Sequence, residues 1–255
     1  MITDMKRTFI TLLTAICMFA ALDSSAQGRP YRPVRHHGSS RYDTGVELSI
    51  GYLHSGYRTK SWVNDEVGKD AGLNGLSLGV TKDFTIIRNV MYFQTGLSYQ
   101  FQTSSNKYTK NVLKVVEERN EHYLDIPLRL KFAMDVLPEV RAFVYLGPTV
   151  DFGLSAKLQG RLKGEGDDVA KITYNYFNGK VKGSSIGEFA LGTPASAYRA
   201  FDVFLGGAVG VELYDIAVVK LGMDWGIINR NKNQAVADQF TTRRNLFHLG
   251  VGVKF

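Results

Sequence analysis

N-L-F-H-L-G-V-G-V-K-F, residues Asn245 to Phe255, alternates strictly from Phe247 onward. Phe247, Leu249, Val251, Val253 and Phe255 share one face, and His248, Gly250, Gly252 and Lys254 share the other. A period of two is the signature of a β-strand with one apolar face and one small or polar face. A soluble barrel ends this way only by chance. A transmembrane barrel strand ends this way for a reason: its apolar face meets lipid and its terminal aromatic sits at the interface. The rest of the chain is therefore read for repeats of the same pattern.

Seven more segments carry it. They are Gly45–Tyr52, Gly75–Thr81, Met91–Gln102, His122–Phe132, Val140–Gly153, Phe201–Leu213 and Ile216–Gly226. Most are near the roughly 9–11 residues that a tilted strand needs to cross a bilayer. The connections alternate in length. His54–Ala71, Thr103–Glu121, Leu154–Ala200 and Ile227–Arg244 are long, whereas Asp83–Asn89, Asp135–Glu139 and Tyr214-Asp215 are short. A soluble sandwich has no reason to put every long loop at one end, but an outer-membrane barrel does. The predicted fold is all-β: an eight-stranded antiparallel up-and-down transmembrane β-barrel with long extracellular loops, short periplasmic turns and both termini in the periplasm. Within the longest connection, Ile172–Phe177, Asn178-Gly179 and Lys180–Lys182 predict a hairpin on a tight primed turn. The Thr103–Glu121 connection reads either as an extension of its flanking strands or as a short helix.

Composition agrees. The 255 residues are 44% hydrophobic, include 13 Tyr, 15 Phe and 26 Gly, and carry a net charge of +7. Cys17 is the single cysteine, so neither a disulfide framework nor a cysteine-built metal site is available. Lys6 and Arg7, the apolar run Thr8–Leu22 and Ser24-Ser25-Ala26 read as a signal peptide over residues 1–26. The apolar run is too short to span a bilayer comfortably as a helix, which takes about 20 residues. Bulky Ile16 before Cys17 argues against a lipid-modified cysteine. Cleavage removes Asp4, Lys6, Arg7 and Asp23 and leaves the net charge unchanged. Residues 27–43 read as a basic, disordered periplasmic tail, with Arg29, Arg32, Arg35 and Arg41 a candidate dock for a periplasmic partner. The barrel is assigned to residues 44–255.

The non-apolar parity is full of charge. Glu47, Asp125, Asp151, Asp202, Glu212 and Asp224 face Arg129, Lys131, Arg141, Lys220 and Lys254 across the expected interior. Glycines between them leave room for long side chains. An eight-stranded barrel is only wide enough for side chains to fill it, and near-balanced charge lets buried ions pair instead of standing alone at a cost of several kcal/mol. The expectation is a salt-bridged plug in preference to a narrow polar pore.

Other candidate sites are weaker. His54 with Ser55, and His122 with Ser98, lie where a lipid-modifying enzyme would keep a His and a Ser, but no acid orients either His. Gly206–Gly210 lies inside a strand and is no phosphate loop. His36-His37 and Asp167-Asp168 each lack a third metal ligand. No cofactor and no metal are expected. Arg230, Lys232, Arg243 and Arg244 flank the last long loop, and Arg58, Lys60 and Lys69 lie in the first; over an outer leaflet they would meet glycolipid phosphates. Positive charge is dispersed rather than gathered in one patch, and the chain is exported, so nucleic acid is not an expected partner. Expected partners are outer-membrane lipid and glycolipid, and the barrel-assembly machinery through the strand ending in Phe255.

Several stretches together resemble the PorT-like outer-membrane β-barrel family of the Bacteroidota. They are Tyr123–Leu128 with Lys131-Phe132, Val144–Pro148 with Asp151 and Gly153, Gly207–Glu212, Leu249–Phe255, and the signal end Ser25-Ala26-Gln27. The resemblance covers about Thr44 to Phe255. It implies the barrel fold and, at family level only, involvement in type IX protein export with secretion-system proteins as partners. The alternatives are a structural or adhesive barrel whose loops bind glycolipid or host protein and, more remotely, a lipid A-modifying enzyme. Pro127 cannot donate to a sheet ladder, so a bulge or local break is expected there.

Overall fold

The computed structural model describes residues 45–61, 67–69, 72–110, 113–163, 168–183, 197–238 and 240–255. The signal peptide, the basic tail with His36-His37, and Asp167 lie outside these residues. Among the described residues eleven strands are present: β1 (Val46–Ser61), β2 (Val67–Lys69), β3 (Leu73–Ile87), β4 (Met91–Lys110), β5 (Leu113–Leu137), β6 (Val140–Lys163), β7 (Asp168–Asn175), β8 (Val181–Gly183), β9 (Phe201–Leu213), β10 (Ala217–Gly226) and β11 (Phe240–Lys254). One four-residue helix, α1 (Gln234–Ala237), precedes β11.

Eight strands form a closed ring. Each pairs antiparallel with the next in the order β1, β3, β4, β5, β6, β9, β10, β11, and β11 pairs back onto β1. The seam runs from Glu47 opposite Lys254 to Ser61 opposite Phe240, and Val46 and Phe255 exchange backbone hydrogen bonds of 3.1 and 2.9 Å at its end. Closure leaves the ring without an unpaired edge. The three short turns and both ends of the barrel lie at one rim, the turn end; β2, β7, β8 and α1 lie toward the other, the loop end.

The period-two reading holds along every wall strand. Leu205, Val209, Leu249 and Val251 point outward, with about half of each side chain's surface open. Glu47, Lys131, Arg141, Asp151, Glu212 and Arg244 point inward and are buried. This inversion, with apolar groups outside and charge inside, is stable only where the outer face meets hydrocarbon. Glycines make the space that the charges fill. A Cβ on Gly252 would lie 3.0 Å from Glu47 Oε1, and one on Gly250 would lie 3.3 Å from Lys220 Cε.

The strands run past the apolar segments. Of the two readings of Thr103–Glu121, extension of the flanking strands holds: β4 and β5 stay paired up to Lys110 opposite Leu113. β5 and β6 stay paired up to Lys114 opposite Lys163, and β7 and β8 add to the β6 edge. The result is a sheet, here called the blade, that projects past the barrel. Arg58 and Lys60 belong to β1 and Lys69 to β2 instead of to a loop. The hairpin in the longest connection is present, but Asn175 pairs with Lys180, so Asn178-Gly179 is the second half of a four-residue turn, with Gly179 at φ 66°. The two-residue turn at Tyr214-Asp215 is as read, with φ 54° and 60°, the mirror-image geometry that suits a right-twisted hairpin.

Pro127 breaks the ladder as expected, and without a register shift. β4–β5 pairing skips Ile126 and Pro127, and β5–β6 pairing skips Leu128 and Arg129. Opposite the gap, Gly147 adopts φ 152°, and a Cβ there would collide with the Leu128 carbonyl. Only glycine takes this conformation at low cost.

Candidate functional site

The charged interior falls into three levels. At the turn end, Lys131 Nζ bonds Asp83 Oδ2 at 2.8 Å and pairs with Glu212, and Lys254 Nζ lies 3.4 Å from both carboxylates. Arg141 donates to Tyr92 Oη at 2.7 Å and to the Asn89 carbonyl at 3.0 Å, and lies 3.7 Å from Asp135.

In the middle, Lys220 bonds Glu47 at 2.5 Å. Arg129 lies 3.3 Å from Asp224 and 4.5 Å over the Tyr145 ring. Ser98 and Gln100 donate to Asp125. His248 stands between Asp224, at 3.5 Å, and Tyr145 Oη, at 3.2 Å. A void of about 70 Å³ remains at this level, room for a handful of waters at roughly 10–15 Å³ of such space each.

The loop-end level is built from Arg119, Arg230 and Arg244 with Glu121, Asp151 and Asp202. Glu121 accepts Arg119 Nε at 2.7 Å and the hydroxyls of Tyr57 and Tyr123 at 2.5 Å each. Arg230 donates to those same two hydroxyls at 2.7 and 2.9 Å and lies 3.8 Å from Asp202. Arg244 pairs with Asp151 and stacks 3.7 Å from the Tyr123 ring centre. Arg119 sits between the rings of Tyr57, at 4.2 Å, and Tyr176, at 4.5 Å. Tyr198, in the connection before β9, stacks on Tyr176 at 4.8 Å and covers the cluster. Glu121 lies above Leu124, where the unbroken outward apolar series of β5, Leu124 to Phe132, ends. Burial raises its pKa, and Arg119, Arg230 and Arg244 more than reverse that, holding it at about 2. Burial also pushes the Tyr176 phenol well above its ordinary value.

All eleven charges assigned to the interior from sequence face inward. Two of the four proposed glycolipid contacts do not face a leaflet: Arg230 and Arg244 are buried in the loop-end level, because only there do Glu121, Asp151 and Asp202 need counter-charges. Lys232 and Arg243 are exposed. Asp83, Arg119, Glu121 and the covering tyrosines were missed. Asp83 falls in the short connection expected at Asp83–Asn89, yet β3 continues to Ile87 and turns Asp83 inward.

The two His–Ser candidates come apart. Ser55 faces inward onto Gln102 at 2.5 Å, and its neighbour His54 faces outward onto Asn74 at 2.8 Å. Likewise Ser98 faces Asp125 inside, and His122 faces Tyr99 outside at 2.6 Å. Neighbouring strand positions point to opposite sides of the wall, so neither pair can pass a proton directly. Among the described residues no three His, Cys, Asp or Glu side chains converge as a metal site.

A family model described as "Outer membrane protein beta-barrel domain" matches residues 26–230. The chain belongs to this family. It is an outer-membrane β-barrel protein, which supplies the hydrocarbon that the apolar outer face requires. No curated protein matches the chain. Solved structures similar to it include Ail, the attachment invasion locus protein of Yersinia pestis, 12% identical, covering 84% of this chain and 99% of Ail with a TM-score of 0.34. Neisserial surface protein A is 12% identical, covering 82% and 97%, with a TM-score of 0.33. The N-terminal β-barrel domain of Pseudomonas aeruginosa OprF is 12% identical, covering 80% and 97%, with a TM-score of 0.27.

Proposed function

We propose that this protein is a closed, non-enzymatic barrel whose loop end lies outside the cell and whose working part is the blade carried there, a binding surface and not a channel. The observation that supports it is the interior. Eight acids (Glu47, Asp83, Glu121, Asp125, Asp151, Asp202, Glu212 and Asp224) meet eight bases (Arg119, Arg129, Lys131, Arg141, Lys220, Arg230, Arg244 and Lys254) over three levels. Opening a path would separate buried ion pairs, each at a cost of several kcal/mol. A wall this stiff is a base on which β4, β5 and β6 extend past the bilayer. Two of the exposed basic residues at that end, Lys232 and Arg243, suit contact with glycolipid phosphate.

The test is conductance. Purified protein in planar bilayers should give no resolved channel steps; steady steps in the absence of denaturant would sink the closed-barrel reading. The PorT-like resemblance favours a second reading, an accessory of protein export. Deleting the gene separates the two: loss of exported proteins from the cell surface supports export, and intact export supports the binding barrel.

A further inference from the structure

The blade has two unlike faces. Its inner face carries buried Val115, Leu162, Ala170 and Ile172, each at most 5% exposed, with half-buried Glu117 in the row of Ile172. Its outer face is set by register. Lys114 pairs with Lys163, and one step down Lys107, Val116, Arg161 and Lys171 lie in a row across β4, β5, β6 and β7. The next row is Ser105, Glu118, Gln159, Thr173 and Lys182. Alternation puts all of these on the outer side. Lys107, Lys114, Lys163, Lys171 and Lys182 are exposed, and Arg161 is half-buried, 3.3 Å from Glu118. A groove of about 390 Å³ opens between Lys107, Lys114, Arg161 and Lys163.

We infer that this outer face binds a linear polyanionic polysaccharide. The inference rests on the reading of the loop end as an external binding surface. Among the described residues six cations stand against two carboxylates, Glu118 and Asp168, which lies opposite Lys163; this excess sets the sign of the ligand, and rows of strands roughly 4.8 Å apart offer a repeating charge to a chain laid across them. The rows carry Val116 as their one apolar side chain and no aromatic. A protein partner uses aromatic anchors at its interface core, and single-stranded nucleic acid uses stacking platforms; a hydrophilic charged polymer needs neither. Height separates a polymer from a lipid headgroup. Val116 and Lys114 lie eight and ten residues past Leu124 on β5. At about 3.3 Å per residue and a tilt near 40°, they stand roughly 20–25 Å beyond the apolar band. Headgroups occupy only about 5–8 Å there.

The experiment uses the whole protein in nanodiscs of zwitterionic lipid and fluorescent dextran sulfate as probe, with uncharged dextran of the same length beside it. Anisotropy should report binding of dextran sulfate alone, weakening as salt is raised. A triple variant, Lys107→Glu, Arg161→Glu and Lys171→Glu, should bind about tenfold or more weakly. A control with charge reversals elsewhere, Arg88→Glu and Arg199→Glu, should bind as the parent does. Heat-modifiable gel mobility checks that each variant is folded, and the milder Lys107→Gln, Lys171→Gln pair replaces the triple variant if it is not. No binding, or equal loss in the control, overturns the inference. So does tighter binding of polyglutamate, which points to an acidic polypeptide, or equal binding of anionic-lipid vesicles, which points to a membrane. In each of these cases the conductance result still judges the closed barrel separately.

Discussion

At the turn end, Lys131 and Lys254 hold Asp83 and Glu212 with two flexible ammonium groups, and each carboxylate has both cations within 3.4 Å. At the loop end, Arg119, Arg230 and Arg244 hold Glu121, Asp151 and Asp202 with planar guanidinium groups clamped against Tyr57, Tyr123 and Tyr176. The first arrangement is redundant and the second is specific. A lysine is a point charge on a soft stem, so a neighbour can cover for its loss; an arginine stacked on a ring is fixed in direction, so its carboxylate has no substitute. Redundancy suits the end where wall strands carry all the charges. Specificity suits the end where Tyr176, Tyr198 and Arg230 arrive from connections and must be held in one place.

Substitutions at the two ends test this contrast. Arg244→Ala should cost most, about 3–5 kcal/mol in urea unfolding from micelles, because it leaves Asp151 buried without its partner. Adding Asp151→Asn should recover most of the loss; no recovery would mean that the stacking, not the charge, carries the effect.

Next is pH. Glu121 has its folded pKa held at about 2, below the ordinary 4.5. It therefore adds stability that is fully present above about pH 4.5 and is lost as pH falls toward 2, an amount of about 3 kcal/mol. Acid unfolding curves of the parent should fall more steeply over that window than those of Glu121→Gln. Parallel curves would show that the tyrosine hydroxyls alone set the site.

Lys131→Met should cost less, about 1–3 kcal/mol, since Lys254 still faces Asp83 and Glu212. A cost equal to that of Arg244→Ala would end the distinction between redundant and specific. Glu118→Gln, on the blade, is the reference: its pair with Arg161 is partly exposed, and the change should stay within about 1 kcal/mol.

The sequence shows the wall strands plainly and their upper ends poorly, for one physical reason. Apolar alternation reports contact with lipid, whereas a strand is defined by its ladder. Past Phe101 and Leu124 the outer face meets water, so Thr103, Ser105 and Glu118 lose the pattern although the ladder runs on to Lys110. At the other rim Lys82 interrupts the outward series before Phe84, so the pattern ends short of Asp83 although β3 runs on to Ile87. Arg244 was within reach: the inward parity of His248 extends through Leu246 to Arg244, and the apolar Leu246 masked it. Arg230 and Tyr198 follow no periodicity, because no wall strand carries them.

The seam between β1 and β11 also has a kinetic meaning. Its partners stand almost the full length of the barrel apart in sequence, Glu47 opposite Lys254. Every other wall pair forms between neighbouring segments, so the ring can be laid down hairpin by hairpin, but it cannot close until its last strand arrives. Loop closure of that span is the slowest contact to find. Until then two strand edges stay unpaired and open to other chains. Docking of the alternating stretch that ends at Phe255 is therefore expected to limit folding, a prediction on which the behaviour of a shortened chain bears. A chain cut before it should collect as an open sheet that never acquires the compact, heat-modifiable form.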